Sequence, residues 1–121
     1  MFEIEIYEDE HGKSELKDFL RELRNKTEKD KDARVKFSKI VAYIDLLEEK
    51  GTMIGLPVMR QINSEIWELR PISIRVLFSW IGQDKYLLLH AFKKATRRTP
   101  AREIKKAERE LADYKRRKKL Q

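Results

Sequence analysis

The residues with the clearest chemical potential are cations in the second half of the chain. They lie on, or directly after, the last strands that the sequence predicts, and they are Arg70, Arg75, Lys93, Lys94, Arg97 and Arg98. Arg75 is the most informative of them, because it interrupts the apolar run ISIRVLFSWI. Burying an arginine is costly unless it is paired or opens onto a cleft. Arg75 therefore indicates either a phosphate-binding site or an ion pair with an acid such as Glu65 or Glu68.

The basic loop KKATRR strengthens this interpretation, because it joins the end of a predicted strand to the start of a predicted helix. Antiparallel neighbours can bring such a junction beside the strands that carry Arg70 and Arg75. Positive charge would then converge on one face of the sheet. Alone, the loop is typical of a solvated surface, but beside Arg75 it favours an anion site.

His90 and several aromatic residues allow two interpretations each. Imidazole titrates near neutral pH, so His90 is a candidate proton shuttle, although a histidine in the apolar run LLLHAF is also typical of a structural residue. Trp67, Phe78, Trp80 and Tyr86 have ring faces on which nucleobases can stack. Aromatic residues at strand spacing more often pack in the core, which is our prediction for Phe78 and Trp80.

Motifs for cofactor or metal chemistry are missing from the sequence. The 121 residues contain no cysteine, which excludes disulfides, thiolate zinc sites and thiol nucleophiles. The sequence has no GxGxxG, GxxxxGK, HExxH or GxSxG motif, and two histidines cannot by themselves make a structural zinc site. We therefore expect no cofactor and no metal.

Length and charge predict a single basic domain over residues 1–121. Residues 1–50 hold 11 Lys and Arg against 14 Asp and Glu, whereas residues 51–121 hold 17 against 7. This asymmetry indicates a polyanionic partner such as nucleic acid, the alternative being a solvated basic helix. The acidic N-terminus is not a signal peptide, and no apolar run is long enough to span a membrane. We expect a cytoplasmic protein without a membrane partner.

The first half of the sequence predicts a strand and two helices. Residues 2–7 alternate between apolar and polar side chains, a pattern typical of a strand with one buried face. Ser14 is predicted to cap a first helix, and residues 25–32 form a polar connection. The second helix is predicted to end at Gly51, with its apolar face formed by Val35 or Phe37, Ile40, Val41, Ile44 and Leu47.

The second half predicts an antiparallel meander followed by a helix. The strands are expected near Met59–Ile62 and over 65–70, 72–81 and 85–93. Thr99 is predicted to cap the last helix, with Pro100 at its first position and a basic tail over residues 116–119. The predicted fold class is α+β: an antiparallel sheet with an N-terminal helical hairpin packed on it and a C-terminal helix.

The order of four segments resembles the HigB, phage-derived-like branch of the RelE/ParE superfamily, the toxins of type II toxin–antitoxin systems. These segments are IWELR, IRVLFSW, YLLLHAFKKATRRTP and AREIKKAERELADY. The resemblance is strongest from Leu56 to Tyr114, and the first strand and helical hairpin also fit. It implies a RelE-like fold and a ribosome-dependent endoribonuclease. Such an enzyme cleaves mRNA without a metal, by attack of the RNA 2′-hydroxyl on the adjacent phosphate.

The resemblance also implies roles for the cations. The strand arginine of the RelE-like motif corresponds to Arg75, which would bind the scissile phosphate, and Arg70 would make a further phosphate contact. Lys93 and Lys94 would stabilise the transition state or supply the acid. The later basic residues, from Arg97 through the tail, are expected to dock the protein on ribosomal RNA, and the candidates are Arg97, Arg98, Arg116 and Arg117.

The general base stays open. RelE has lysines on the strand where this chain has Ile66 and Glu68, so its lysine base cannot be transferred to this sequence. The candidates are Glu68, His90 and a lysine whose pKa is lowered by its surroundings.

The resemblance implies three partners, namely the ribosome, mRNA and a helix-turn-helix antitoxin of the HigA type. Two other functions stay open at this point. A ParE-like gyrase poison would share the fold without cleaving RNA, since fold alone does not fix function. A non-catalytic nucleic-acid-binding module would bind with a steep salt dependence and would yield no product.

Overall fold

The computed structural model describes residues 1–119, which form three α-helices and five strands in the predicted order. The helices are α1 (Glu15–Asn25), α2 (Lys31–Lys50) and α3 (Ala101–Lys118), with a short 3-10 helix at Gly51–Ile54. The strands are β1 (Glu3–Ile6), β2 (Met59–Gln61), β3 (Trp67–Leu69), β4 (Ile74–Trp80) and β5 (Lys85–Lys93). None of the helices within residues 1–119 is both long and apolar enough to cross a bilayer.

The strands form one mixed sheet in the order β1-β5-β4-β3-β2. The three pairs β2–β3, β3–β4 and β4–β5 are antiparallel, as the meander predicted. The expectation of a wholly antiparallel sheet is wrong, because β1 pairs in parallel with β5. The two helices that separate β1 from β2 make a connection long enough to permit this direction, whereas tight turns enforce antiparallel pairing in the meander.

Local signals explain where the first two helices begin and end. Ser14 caps α1 as predicted, because its hydroxyl accepts a hydrogen bond from the Lys17 amide at 3.1 Å. Asp30 caps α2 by accepting from the amides of Asp32 and Ala33. The observed connection between the helices, residues 26–30, is therefore shorter than the predicted 25–32. Gly51 ends α2 with a φ of 67°, a conformation that glycine adopts without steric cost.

The sheet carries helices on both faces. α1 and α2 cover one face, where Leu16, Ile40 and Leu47 join the strand residues in one apolar core. α3 covers the other face, where Ala107 and Leu111 join a second core. Each strand therefore alternates between two buried surfaces, and this explains the nearly continuous burial of β4 and β5.

Three predicted core positions lie at the surface. Val35 and Val41 are 45% and 39% exposed, whereas Ile40 and Leu47 are buried as predicted and Ala33 is buried with them. Phe37, the alternative to Val35, is partly buried. Trp80 is 55% exposed at the last position of β4, where its indole N–H donates to the carbonyl oxygen of Gln83. In contrast, Phe78 is buried as predicted, and it packs against Tyr86.

A β-bulge in β5 sets which side chains face α3. Leu77 of β4 pairs with His90, but the next residue, Phe78, pairs with Leu88. Leu89 is the extra residue, and both Leu89 and His90 contact the α3 side. Because a bulge shifts the alternation by one residue, the side chains after it are displayed on faces opposite to those that a regular strand would give.

Candidate functional site

A cationic pocket lies at one end of the sheet, beside the beginning of α3. Its walls come from β2, the end of β3, the start of β4 and the segment that follows β5. Six cations line it together with the carboxylate of Glu68, and these are Arg60, Arg70, Arg75, Lys94, Arg97 and Arg98. The predicted convergence of Arg70, Arg75 and the basic loop is therefore present in the structure.

Arg75 lies at the base of this cationic pocket and is 6% exposed. Its Nη1 donates to two main-chain carbonyl oxygens, those of Ile72 at 3.0 Å and Ile74 at 2.9 Å. Its Nε and Nη2 form no hydrogen bond with residues 1–119, and Arg75 makes no ion pair within that range. Within residues 1–119, every fully buried side-chain nitrogen has a hydrogen-bond partner. Because Nε and Nη2 have none, they are not fully buried. Arg75 thus presents a guanidinium edge of the kind that binds phosphate oxygens in pairs.

The electrostatic surroundings of Arg75 are mainly positive. Burial lowers the pKa of its guanidinium, and the nearby charges of Arg70 and Arg60 act in the same direction. Glu68 opposes this shift in the pKa of Arg75. One carboxylate facing several guanidinium groups leaves an excess of positive charge, which an anion entering the pocket would neutralise.

Glu68 is the buried carboxylate of the cationic pocket, with 1% of its surface exposed. Its Oε2 accepts a hydrogen bond from Arg60 Nε at 3.3 Å, and its Oε1 accepts one from the hydroxyl of Thr99. The prediction that Thr99 caps α3 is wrong. Pro100 occupies the cap position without a side-chain hydrogen bond, and Thr99 lies one residue before it, where its hydroxyl donates to the buried carboxylate of Glu68.

The two consecutive lysines at the end of β5 are separated by the strand alternation. Lys94 lines the cationic pocket, and its amide donates to the carbonyl oxygen of Ser73 at 2.7 Å. Lys93 pairs with Ile74, whose side chain belongs to the core on the α1 and α2 side of the sheet. Lys93 is exposed and does not line the pocket. The structure therefore brings Lys94, and not Lys93, to Arg75.

The predicted RNA-binding arginines occupy two distant places. Arg97 and Arg98 lie in the exposed loop at the pocket. Arg116 and Arg117 lie in the last turn of α3, an 18-residue helix about 27 Å long, and both bind Asp113 at distances of 2.7 and 2.8 Å. The latter pair therefore lies away from the pocket and is already engaged by a carboxylate.

His90 fastens α3 to the sheet. It is 1% exposed, and its two ring nitrogens lie 2.6 Å from Glu110 and 3.0 Å from Glu103, both on α3. His90 does not line the cationic pocket. This geometry agrees with the structural interpretation of the histidine.

The sequence interpretation missed Arg60 and the pairing role of Thr99. Arg60 lies on β2 directly opposite Glu68, a cross-strand position that only the register reveals. A signal was present, since opposite charges on neighbouring hairpin strands often pair, but β2 has only three residues. Within residues 1–119, no three or more His, Asp or Glu side chains are grouped as a metal site would require.

The chain is similar to a known protein family over most of its length. Residues 18–112 match the family described as phage derived protein Gp49-like (DUF891). The chain belongs to the Gp49-like family. The match covers most of the chain, from α1 through most of α3, and so includes the whole cationic pocket. Gp49-like proteins are toxin-like modules of the RelE/HigB-like superfamily. A search of curated proteins found none that matches the sequence.

Proposed function

We propose that this Gp49-like protein is the toxin of a type II toxin–antitoxin system and cleaves mRNA on the ribosome. The observation that carries the proposal is the unpaired guanidinium edge of Arg75 in a pocket with five further cations and one buried carboxylate. The Gp49-like family is associated with toxin ribonuclease activity, which supports the same assignment.

The proposed reaction is an internal transfer within RNA. The 2′-hydroxyl gives its proton to a base, its oxygen forms a bond to the adjacent phosphorus, and the bond from phosphorus to the 5′-oxygen breaks. The leaving oxygen takes a proton from an acid, and the products are a 2′,3′-cyclic phosphate and a 5′-hydroxyl. Catalysis of this reaction requires positioned cations for the negative charge that develops on the phosphorane, together with a proton acceptor and a donor.

The cationic pocket contains groups for each of these roles. Arg75 is placed to bind two phosphate oxygens through Nε and Nη2, and Arg70 adds a second cation. Lys94 carries an ammonium group with three donors, which suits it to stabilise the leaving oxygen or to protonate it. Lys93 is not required in this scheme, because its side chain is directed away from the pocket.

Glu68 is our candidate for the general base. A carboxylate accepts protons, and its Oε1 already accepts a hydrogen bond from a hydroxyl group, that of Thr99. A substrate hydroxyl in the place of Thr99 would donate along the same direction. His90 is less suitable, because it does not line the cationic pocket and its ring nitrogens lie against carboxylates of α3.

The charge of the cationic pocket also bears on which molecules the protein binds. A pocket with a large excess of positive charge favours an RNA substrate and, for control, an antitoxin that covers the pocket or binds beside it. We propose a helix-turn-helix antitoxin, the ribosome and mRNA as the partners. Arg97 and Arg98 are the cations of the exposed loop that would contact ribosomal RNA.

The test is cleavage of a defined mRNA on programmed ribosomes by wild type, Arg75→Ala and Arg21→Ala. Arg21 is an exposed arginine of α1 that does not line the pocket, so its substitution removes the same charge outside it. We expect cleavage by wild type and Arg21→Ala, a cyclic phosphate at the new 3′ end, and loss of cleavage in Arg75→Ala. Full cleavage by Arg75→Ala would refute the site assignment. Trapped gyrase–DNA complexes with intact mRNA would refute the proposed function.

A further inference from the structure

The turn before β4 contains a strained residue. Ile72 has a φ of 53°, in the left-handed region where a β-branched side chain is strongly disfavoured. Burial does not account for this conformation, since Ile72 is 48% exposed. The other non-glycine residues with positive φ in the described chain are Gln83, in the β4–β5 hairpin, and Lys119, at the C-cap of α3. Both occupy chain reversals where this conformation is common.

The conformation of Ile72 determines what Arg75 can do. The Ile72 carbonyl oxygen accepts one hydrogen bond from Arg75 Nη1, and the Ile74 carbonyl oxygen accepts another. Nη1 carries two hydrogens, and these two main-chain carbonyl oxygens accept both of them. The turn is itself held closed by the Ile74 amide, which donates to the Pro71 carbonyl oxygen at 3.0 Å. Only Nε and Nη2 of the guanidinium remain for a ligand.

We propose that Ile72 is a positioning residue for Arg75. Its left-handed backbone directs a carbonyl oxygen at Nη1, fixes the plane of the guanidinium and presents the Nε–Nη2 edge to an anionic phosphate in the cationic pocket. The inference rests on the proposed function for its catalytic consequence, but the orientation of Arg75 is a separate claim. Strain retained at a turn beside a charged pocket is expected where the surrounding structure uses the strained geometry.

Two substitutions separate backbone conformation from side-chain identity. Glycine reaches the observed φ without steric cost, so Ile72→Gly is expected to keep wild-type cleavage. Proline fixes φ near about −65°, so Ile72→Pro cannot hold the carbonyl oxygen against Nη1. The proline removes no hydrogen bond, because the Ile72 amide makes no main-chain hydrogen bond within residues 1–119. Gln83→Pro is the matched control, since it makes the same change at the opposite end of β4.

On programmed ribosomes, Ile72→Pro is expected to lower kcat by about 100-fold with a smaller change in KM, because misplacing one catalytic group costs about that much. Gln83→Pro is expected to cleave like wild type. In an Arg75→Ala background, Ile72→Pro should cause no further loss, since both changes disable the same group. A folded Ile72→Pro protein with wild-type kcat, or with an additional loss in the Arg75→Ala background, would overturn the positioning role.

A second readout does not depend on cleavage. Inorganic sulfate at constant ionic strength, with chloride as the reference, is expected to raise the melting temperature of wild type and Ile72→Gly more than that of Ile72→Pro and Arg75→Ala. Wild-type protein that binds sulfate in this pattern but cleaves no mRNA would refute the proposed function and retain the positioning role. An equal sulfate effect in Ile72→Pro would overturn the positioning role.

If Ile72→Pro does not fold, the wild-type protein still decides the question. Nitrogen-edited NMR is expected to show hindered rotation of the Arg75 guanidinium and slow exchange of the two Nη1 hydrogens, and Ile72→Gly should retain both. A freely rotating Arg75 guanidinium in wild type would overturn the proposal.

Discussion

Replacing Glu68 by glutamine tests the chemistry of the cationic pocket with little change in shape. Glutamine keeps an oxygen that can accept from Thr99, but it removes the negative charge. Glu68 is 1% exposed and contacts the partly exposed guanidinium of Arg60 at 3.3 Å. The substitution therefore leaves Arg60, Arg70 and Arg75 without the one carboxylate that lines the pocket with them.

The size of the effect on stability follows from these contacts. A hydrogen bond to a charged group contributes about 1.5–3 kcal/mol, and an exposed partner reduces this to about 1 kcal/mol for Arg60. The bond from Thr99 survives in a weaker, neutral form. We expect the free energy of unfolding to fall by about 2 kcal/mol, which corresponds to a melting temperature lower by roughly 8 °C for a domain of this length.

The effect on catalysis is expected to be larger. A positioned general base contributes about 100- to 10,000-fold in rate, so Glu68→Gln should lose at least about 100-fold in mRNA cleavage. Cleavage is measured on programmed ribosomes, and stability by urea unfolding of the same preparations. Glu65→Gln is the matched control, because Glu65 is 52% exposed and its ion pair with Lys115 at 2.9 Å lies at the surface.

Two results would contradict this reasoning. A folded Glu68→Gln protein that cleaves within about tenfold of wild type would show that Glu68 is not the general base. An unchanged or increased free energy of unfolding would show that the carboxylate does not stabilise the surrounding guanidinium groups. Glu65→Gln should change neither quantity, and a loss in that variant would show that the two assays respond to surface charge alone.

Two further predictions concern stability. Burial and the hydrogen bond to Asp113 raise the pKa of Tyr7 to about 12, so folding retains a proton that the unfolded chain loses near pH 10. The free energy of unfolding should be insensitive to Tyr7 below about pH 9 and should fall by up to about 2 kcal/mol between about pH 10 and 12. Urea unfolding should show a shallower alkaline decline for Tyr7→Phe, and identical profiles would contradict the assignment. Gly51→Ala should cost about 2–4 kcal/mol, because the new Cβ would lie 2.8 Å from the ring of Phe2 at a φ of 67°. Gly12→Ala, with a φ of 77° and no atom within 4 Å, should cost only about 1 kcal/mol by thermal unfolding, and equal losses would exclude the steric explanation.

The order of the elements could be predicted because each one carries a local signal. Ser14 and Gly51 mark helix ends by their own chemistry, and β5 is marked by its unbroken apolar run. The direction of β1 could not be predicted, because pairing with β5 depends on contacts between residues about 80 positions apart in the sequence. Trp80 was misplaced because it is the last residue of β4, a strand end that the continuous apolar run does not mark.

The site was predictable only in part. Arg75 could be singled out because a charge in an apolar strand is unusual and must be accommodated. Arg70 and the basic loop lie in the same region. The inclusion of Arg60 depends on the register of β2 with β3. Whether Lys94 or Lys93 faces the pocket depends on the bulge, and no residue type in β5 predicts that irregularity.

The bulge in β5 has a consequence for how this strand can change during evolution. Between the hairpin at Gly82 and the pocket at Lys94, gaining or losing one residue would move every later side chain of the strand to the opposite face of the sheet. An insertion before His90 would therefore move both His90 and Lys94 away from their present partners. The contacts to α3 and the pocket would be lost in the same event. We therefore expect β5 to vary in composition but not by a single residue in length.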